Sequence, residues 1–196
     1  MKDLVLASTS VYRAELLKKT GIPFSTVKPG FDEDENKNKL LMNKATSIEV
    51  AEALSKGKAR SVKLNTVNVL AGDQIVNTGN GIFGKSNGFQ GAFDQLKLLQ
   101  GQTHELITAT TIISDQNEYH INHITRLTMK NLSDLEIKNY LHRDQPYDCA
   151  GSYKIEKSGI VLFDKIETDD FTAIQGIPMI WVTRILKELK YEFFQT

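Results

Sequence analysis

The chain opens with a short apolar run that changes abruptly into a polar, helix-forming segment. Residues 4–7 have the composition of a buried strand, and a helical pattern begins shortly after it. Ser8 and Ser10 lie between the two elements, and Arg13 follows one turn into the helix. Unpaired N–H groups and the dipole make a helix N-terminus favourable for an anion, and an arginine adds a charged fork. The segment therefore predicts an α/β chain whose first loop binds a phosphate of a nucleotide or phosphoester.

Strands and helices alternate along the rest of the chain. Helices are predicted at residues 11–19, 47–64, 89–99, 134–141 and 178–190, and strands at 67–71, 106–113 and 118–129. Residues 31–39 are predicted as an exposed loop, residues 78–81 as a hairpin turn, and residues 149–163 as a short strand pair or loop. The last two strands form a long antiparallel hairpin, so we expect an α/β fold with a mixed, partly antiparallel sheet flanked by helices. One domain, residues 1–196, with two lobes around a central cleft is the simplest arrangement.

The charge balance and the cysteine count narrow the classes of partner and compartment. The 196 residues include 24 basic and 24 acidic side chains, so the basic excess of a nonspecific nucleic-acid binder is absent. Cys149 is the only cysteine, which excludes an intramolecular disulfide and fits a reducing compartment. The sequence shows no signal peptide and no apolar stretch long enough to span a membrane. We expect a cytoplasmic protein that binds neither nucleic acid nor membrane.

Two carboxylates are candidates for a metal site or for a general base. Asp73 follows an apolar strand, at the edge where open α/β sheets usually bind ligands, and Glu33 lies in the acidic run 31–39. Carboxylates that converge near a phosphate can hold Mg²⁺ or Mn²⁺, and one of them can activate a water. Simpler roles stay open for both, because acidic runs are usually only solvated and an aspartate after a strand often caps a turn.

Two lysines are candidates for neutralising phosphate charge. Lys58 lies on the second predicted helix, and Lys85 follows the predicted hairpin. Phosphoryl transfer needs such cations, although a single lysine, taken by itself, is more often an ordinary exposed side chain. The sequence has no Walker motif and no Gly-x-Gly-x-x-Gly after a strand, which argues against the common ATPase and dinucleotide-binding classes.

The order of short motifs along the chain resembles the Maf family of nucleoside triphosphate pyrophosphatases. The resemblance spans residues 4–189 and is carried by LASTSVYRAELL, FDE, LSKGKA, GDQ, GK, THELIT, LSDLEIKNYLHRDQPYDCAGSYKIE and QGIP. It implies a Maf/ITPase-like fold and hydrolysis of a nucleoside triphosphate to the monophosphate and pyrophosphate. It also implies a divalent cation, Mg²⁺ or Mn²⁺, and a homodimer.

The resemblance also assigns roles to individual residues by their position in the motifs. It implies that Asp73 is the catalytic proton acceptor and that Glu33 holds the metal together with Asp73. The implied phosphate-binding residues are Ser8, Ser10, Arg13, Lys58 and Lys85.

Three further positions resemble the branch of the family that is associated with 7-methyl-GTP. These are Tyr12, Gln74 and Glu156, which differ from the residues common in the branches acting on uridine and thymidine nucleotides. An ionised Glu156 can accept the N1–H and N2–H₂ donors of guanine, and a base made cationic by N7 methylation can stack on Tyr12. The expected substrate is therefore 7-methyl-GTP, in a role that clears a modified nucleotide from the pool.

Two other functions stay open at this point. The same pyrophosphatase chemistry can act on the canonical pyrimidine triphosphates dTTP and UTP. Alternatively, the protein can be a nucleotide-binding regulator of cell division or septation, with hydrolysis incidental. The presence of Asp73, Glu33 and both lysines favours catalysis, because a pure sensor needs only the binding groups.

Overall fold

A computed structural model describes residues 2–64, 66–79, 81–115 and 117–194 of the chain. The chain divides into two compact units, called unit 1 and unit 2 below. Unit 1 comprises Met1–Asp73, Thr108–His123 and Asp170–Thr196, and unit 2 comprises Gln74–Ile107 and Ile124–Asp169. The single domain and its central cleft stay predictions.

The described residues alternate between strands and helices, as predicted. In chain order the elements are β1 (Asp3–Ala7), α1 (Val11–Lys18), β2 (Phe24–Val27), α2 (Glu33–Met42), α3 (Ser47–Arg60), β3 (Val67–Asn77), β4 (Ile82–Phe83), α4 (Phe89–Leu99), β5 (Thr103–Ser114), β6 (Asn117–Met129), α5 (Asp134–Asp144), β7 (Phe163–Glu167) and α6 (Met179–Glu188). Two 3₁₀ helices, Ser158–Leu162 and Phe171–Gln175, precede β7 and α6. None of the helices in the described part of the chain has the length and apolar character needed to cross a membrane.

The strands of the described residues join one mixed sheet. Its order is β2, β1, β3, β5, β6, β7, and β4 pairs with β3. β1 runs parallel to β2 and β3, whereas β4 is antiparallel to β3 and β7 is antiparallel to β6. The hydroxyls of Thr103 and Thr128 share a hydrogen bond, and so do the Thr111 hydroxyl and the Nδ1 atom of His120. These cross-strand pairs fit the antiparallel register of the predicted hairpin between β5 and β6. The predicted α/β fold with a mixed sheet flanked by helices is confirmed.

The turn predicted at residues 78–81 and the connection between the two predicted strands of the long hairpin are described only in part. Asn80 and Gln116 lie outside the described residues. The strands on either side pair as predicted, since Val76 lies opposite Phe83 across β3 and β4. The strand connectivity therefore agrees with a hairpin at both places.

The acidic segment at residues 31–39 was wrongly predicted as a loop. It forms α2, whose first turn is capped by Asp32, with the Oδ1 atom of Asp32 accepting the Glu35 N–H at 2.9 Å. Acidic residues in the first turn complement the helix dipole, and Lys39 pairs with Glu35 one turn earlier. The helix buries none of its side chains, so the apolar periodicity that reveals most helices is absent from its sequence.

Strand boundaries also differ from the prediction in ways that matter for the site. The predicted strand 67–71 continues to Asn77 as β3, so Asp73 lies inside a strand and not at its end. The strands β2 and β7 were missed because they form the two ends of the sheet and expose polar side chains. The segment 149–163 contains a 3₁₀ helix and one bridge, between Lys85 and Ala150, in place of a strand pair.

The first strand and the first helix are anchored by one hydrophobic core in unit 1. Leu4 and Leu6 of β1 and Leu16 and Leu17 of α1 are almost completely buried, and they belong to a cluster that also includes Trp181 of α6. A fully buried leucine contributes about 1.5–3 kcal/mol. Both ends of the loop between β1 and α1 are therefore fixed by packing.

Candidate active site

The loop between β1 and α1 has the geometry that an anion site needs. Ser10 is the N-cap of α1, and its hydroxyl accepts the Arg13 N–H at 3.4 Å. The Ser8 hydroxyl accepts the Ser10 N–H at 3.1 Å and an Arg13 Nη1–H at 3.3 Å. A hydroxyl that accepts these bonds still has its own proton to donate. The structure therefore brings Ser8, Ser10 and Arg13 together at a helix N-terminus.

Arg13 is held in a slot formed by two glycines. Its Nε donates to the Gly176 carbonyl at 3.0 Å. A Cβ at Gly176 would lie 2.9 Å from Arg13 Cγ, and a Cβ at Gly72 would lie 3.1 Å from Arg13 Nε. Gly176 also has φ +131°, a conformation that favours glycine. We infer that both glycines position Arg13, a role that sequence reasoning missed although Gly176 lies in the QGIP motif.

Lys58 connects the two predicted acidic residues. Its side chain is 7% exposed, and its Nζ lies 2.6 Å from Asp73 Oδ1 and 2.7 Å from Glu33 Oε2. Asp73 is also buried, whereas the Glu33 side chain is 51% exposed. The three residues come from α3, β3 and the start of α2. Lys58 therefore pairs with carboxylates here, and its predicted contact with phosphate stays a prediction.

The charges of these groups balance one another. Burial lowers the pKa of the Arg13 guanidinium, and the negative charges of Asp73 and Glu33 act in the opposite direction. Arginine stays protonated even when its pKa is lowered, so Arg13 and Lys58 carry two positive charges beside two negative ones. The cluster is neutral as a whole, which lets four ionised groups lie close together with little uncompensated charge.

The donor set fits a divalent cation only if a ligand supplies further oxygens. Glu33 and Asp73 direct one oxygen each at the same point, which the ammonium of Lys58 occupies as a stand-in cation. In the described part of the chain, no group of three or more His, Cys, Asp or Glu side chains lies close enough to hold a metal. Mg²⁺ is commonly bound by one or two carboxylates together with substrate phosphates. The two carboxylates fit that pattern.

The Phe31 ring, two residues before Glu33, packs directly against Gly57 of α3. A Cβ on Gly57 of α3 would overlap the Phe31 ring, so the ring occupies the space that a side chain would take. Phe31 precedes the Asp32 cap of α2, and Glu33 is the first residue of that helix. The absence of a side chain at Gly57 thus lets the start of α2 pack closely on α3. Sequence reasoning missed this pair, since nothing in the LSKGKA motif indicates which residue covers the glycine.

Three other predicted site residues lie on or next to elements of both units. Tyr12 lies on α1 in unit 1 and is half-buried. Gln74 lies on β3 and is half-buried, and Lys85 is exposed just after β4; both belong to unit 2. The structure places these three residues in the elements named, and their roles stay predictions.

Glu156 belongs to unit 2 and lies in the segment before a 3₁₀ helix. Glu156 is exposed as a whole residue, but the partial burial of its carboxyl raises the pKa of that group, and the charge of Asp148 acts in the same direction. Lys154 opposes the shift but is itself paired with Asp148, at 2.9 Å. Hydrogen-bond donors on a ligand would stabilise the ionised form of this carboxyl.

Comparison with known proteins identifies the family of this chain. The model of the family described as Maf-like protein matches residues 3–189. A 7-methyl-GTP pyrophosphatase of Bdellovibrio bacteriovorus is 45% identical to this chain over 95% of the chain and 96% of the relative. Proteins of the same name from Polaromonas sp. and Xanthomonas axonopodis pv. citri are 36% and 33% identical, over 95% and 98% of this chain and 84% and 99% of the relatives. The chain belongs to the Maf family.

Proposed function

We propose that this chain is a nucleoside triphosphate pyrophosphatase whose preferred substrate is 7-methyl-GTP. The observation that carries the proposal is the cluster in unit 1, where Arg13 and Lys58 lie beside Glu33 and Asp73 and next to the phosphate-type loop at Ser8. The full-length relatives named 7-methyl-GTP pyrophosphatase support the choice of substrate.

The chemistry is hydrolysis of the phosphoanhydride bond between the α- and β-phosphates. Asp73 accepts a proton from water, the water oxygen forms a bond to phosphorus, and pyrophosphate leaves with the electrons of the broken bond. In the nucleotide-free structure Lys58 bonds only the Oδ1 atom of Asp73, so the second carboxylate oxygen is the one that accepts the proton from water. Because the attacked phosphoryl group gains negative charge, fixed cations nearby stabilise the transition state.

The binding groups divide according to the part of the nucleotide that they contact. Ser8, Ser10, Arg13, Lys58 and Lys85 bind the phosphates. Glu33 and Asp73 would hold Mg²⁺ or Mn²⁺, which would supply additional positive charge for the phosphate oxygens. This division follows from the chemistry of each side chain, since hydroxyls and cations match phosphate oxygens.

Recognition of the base rests on Tyr12, Gln74 and Glu156. An ionised Glu156 accepts the N1–H and N2–H₂ donors of the guanine edge, whereas uracil presents one such donor between two carbonyl oxygens that repel the carboxylate. Stacking of the cationic, N7-methylated base on Tyr12 adds a cation–π contribution of about 0.5–2 kcal/mol. Ordinary guanine lacks that contribution.

A substrate panel tests the proposal directly. Pyrophosphate release is measured with Mg²⁺ or Mn²⁺ for 7-methyl-GTP, GTP, UTP and dTTP at equal concentrations. We expect 7-methyl-GTP to have the highest kcat/KM. A preference for UTP or dTTP would assign the chain to canonical pyrimidine nucleotides, and nucleotide binding without any release would favour a regulator of division or septation.

Assembly and compartment belong to the same proposal. The resemblance to the family supports a homodimer, and the single cysteine, a free thiol, fits the reducing cytoplasm. Light scattering coupled to size-exclusion chromatography checks the first of these, with twice the chain mass of 22.0 kDa as the expected result.

A further inference from the structure

The ammonium of Lys58 occupies the position at which the two candidate metal ligands converge. It lies 2.6 Å from Asp73 Oδ1 and 2.7 Å from Glu33 Oε2, and its side chain is 7% exposed. The carboxylate oxygens of Glu33 and Asp73 that would bind a divalent cation are therefore already paired with the ammonium group of Lys58. A free metal ion and the ammonium compete for the same two oxygens.

Displacement of Lys58 by a metal ion alone is unfavourable. The ammonium would lose both partners while still largely buried, and a buried charge without a partner is costly. The incoming ion would also add two positive charges beside Lys58 and Arg13. Arg13 interacts electrostatically with Glu33 and Asp73, so an ion bound to these carboxylates would also repel Arg13. The neutral cluster thus resists a free divalent cation.

A triphosphate changes this balance. Its oxygens give Lys58 and Arg13 new partners of opposite charge, and they supply the further ligands that Mg²⁺ requires beyond two carboxylates. The same event that releases Glu33 and Asp73 from Lys58 therefore completes the set of metal ligands.

We propose that Lys58 excludes divalent cations from the nucleotide-free protein, so that metal and nucleotide bind together. This inference rests on the proposed function for the identity of the nucleotide. Because coupling between two ligands is reciprocal, metal raises the affinity for nucleotide by the same factor by which nucleotide raises the affinity for metal. The pairing of Lys58 with Glu33 and Asp73 thus keeps both carboxylates free of metal until substrate is present.

Titration with Mn²⁺ alone, followed by electron paramagnetic resonance without any nucleotide, tests the role of Lys58. The Lys58→Met variant keeps the length of the side chain and removes its charge. We expect it to bind one Mn²⁺ at least about tenfold more tightly than the wild-type protein, which is within the usual range of coupling between sites. Adding Asp73→Asn to this variant should abolish the gain. Equal affinities in the wild-type protein and Lys58→Met would overturn the inference.

Lys56 provides the matched control. It lies on the same helix and also faces two carboxylates, with its Nζ 2.6 Å from Glu52 Oε1 and 3.4 Å from Glu118 Oε1. Lys56→Met should leave the Mn²⁺ affinity near the wild-type value, because both carboxylates keep other partners, namely Asn122 and Arg60. A gain as large as that of Lys58→Met would show that loss of any lysine suffices, and would contradict the inference.

A measurement on the wild-type protein keeps the test valid if Lys58→Met does not fold. A saturable, one-to-one Mn²⁺ site of micromolar affinity in the nucleotide-free protein would overturn the inference, and its absence supports it. The Mn²⁺ titrations contain no substrate, so they do not depend on hydrolysis. An inactive substrate panel overturns the proposed function, whereas a preformed Mn²⁺ site in an active enzyme overturns only the role of Lys58.

Discussion

The two lysines with the same predicted role lie in contrasting surroundings. Lys58 in unit 1 is buried and holds two carboxylates, whereas Lys85 in unit 2 is exposed beside a single bridge to Ala150. The ion pairs of Lys58 hold the charged groups of unit 1 close together before any ligand binds, which limits the rearrangement needed for the reaction. The contrast suggests that unit 1 determines the rate, while Glu156 and its neighbours in unit 2 contribute mainly to the choice of base.

Replacement of Asp73 is the strongest test of this contrast. Asp73→Asn keeps an oxygen for Lys58 but removes the proton acceptor, and loss of a general base reduces kcat by about 10²–10⁴-fold. Nucleotide binding in the absence of a divalent cation should change little, as measured by calorimetry with a non-hydrolysable analogue. Near-normal turnover would remove Asp73 from its role.

A buried aspartate outside the site serves as the control. Asp144 in unit 2 accepts bonds from the Ser158 N–H at 2.9 Å and from the Ser158 hydroxyl. Asp144→Asn should lower thermal stability while leaving kcat near the wild-type value. A comparable loss of kcat in both variants would mean that Asp73 acts through stability and not through chemistry.

Replacement of Arg13 should have the next largest effect. Arg13→Lys keeps the charge but loses the fork that holds Gly176 and Ser8 simultaneously, so we expect kcat/KM to fall by about 10²-fold. Steady-state kinetics with 7-methyl-GTP measure it. Arg60→Lys, at an exposed arginine paired with Glu118, should be silent. Equal activities of the two variants would show that charge alone suffices at position 13.

The sequence predicted the elements around this site better than the contacts within it. The caps and apolar runs of α1, α3 and β3 follow from neighbouring residues, and they place Ser8, Ser10 and Lys58 correctly on their elements. Arg13 and its acceptor Gly176, by contrast, are 163 positions apart, and no local pattern relates them. Long-range pairs of this kind arise from packing of whole elements, which single-sequence periodicity does not describe.

The errors in the fold have similar physical reasons. The helix α2 was predicted wrongly as a loop. It is stabilised by its cap and by charged side chains and buries none of its side chains, so its sequence lacks apolar periodicity. Asp73 was placed at a strand end because a glycine and a polar pair interrupt the apolar run. The strand continues because residues up to Asn77 pair with β4.

Replacement of Glu156 tests the contribution of unit 2. Glu156→Gln substitutes a donor for one of two acceptors, so we expect the ratio of kcat/KM for 7-methyl-GTP to that for UTP to fall by about tenfold. The rate with UTP should stay close to the wild-type value. Glu167→Gln, at an exposed residue of β7, is the control and should leave the ratio unchanged. A loss of rate with all substrates would contradict the division between units.

The pH dependence of the same ratio provides a second measurement. Burial raises the pKa of Glu156, so this carboxyl becomes protonated at a higher pH than an ordinary glutamate. A protonated carboxyl loses an acceptor, and the preference for 7-methyl-GTP should therefore decline as the pH falls through the raised pKa. Glu156→Gln has no such group and should show no inflection. An identical inflection in both proteins would assign it to the substrate or to another residue.

The smallest expected effect concerns the contact that positions Glu33 in unit 1. Gly57→Ala places a methyl group where the Phe31 ring lies, and the ring must move together with the start of α2. Overpacking costs about 1–3 kcal/mol and the higher helix propensity of alanine offsets up to about 1 kcal/mol of it, so we expect a modest fall in thermal stability. We expect kcat/KM to fall about threefold to tenfold, by less than a general base contributes, because Glu33 shifts away from Lys58.

The double variant Gly57→Ala/Phe31→Val should recover activity, since the smaller side chain leaves room for the methyl group. Gly30→Ala, where a Cβ meets nothing within 4 Å, is the control. Failure of the double variant to recover would show that Gly57 acts on the site by some route other than the Phe31 contact.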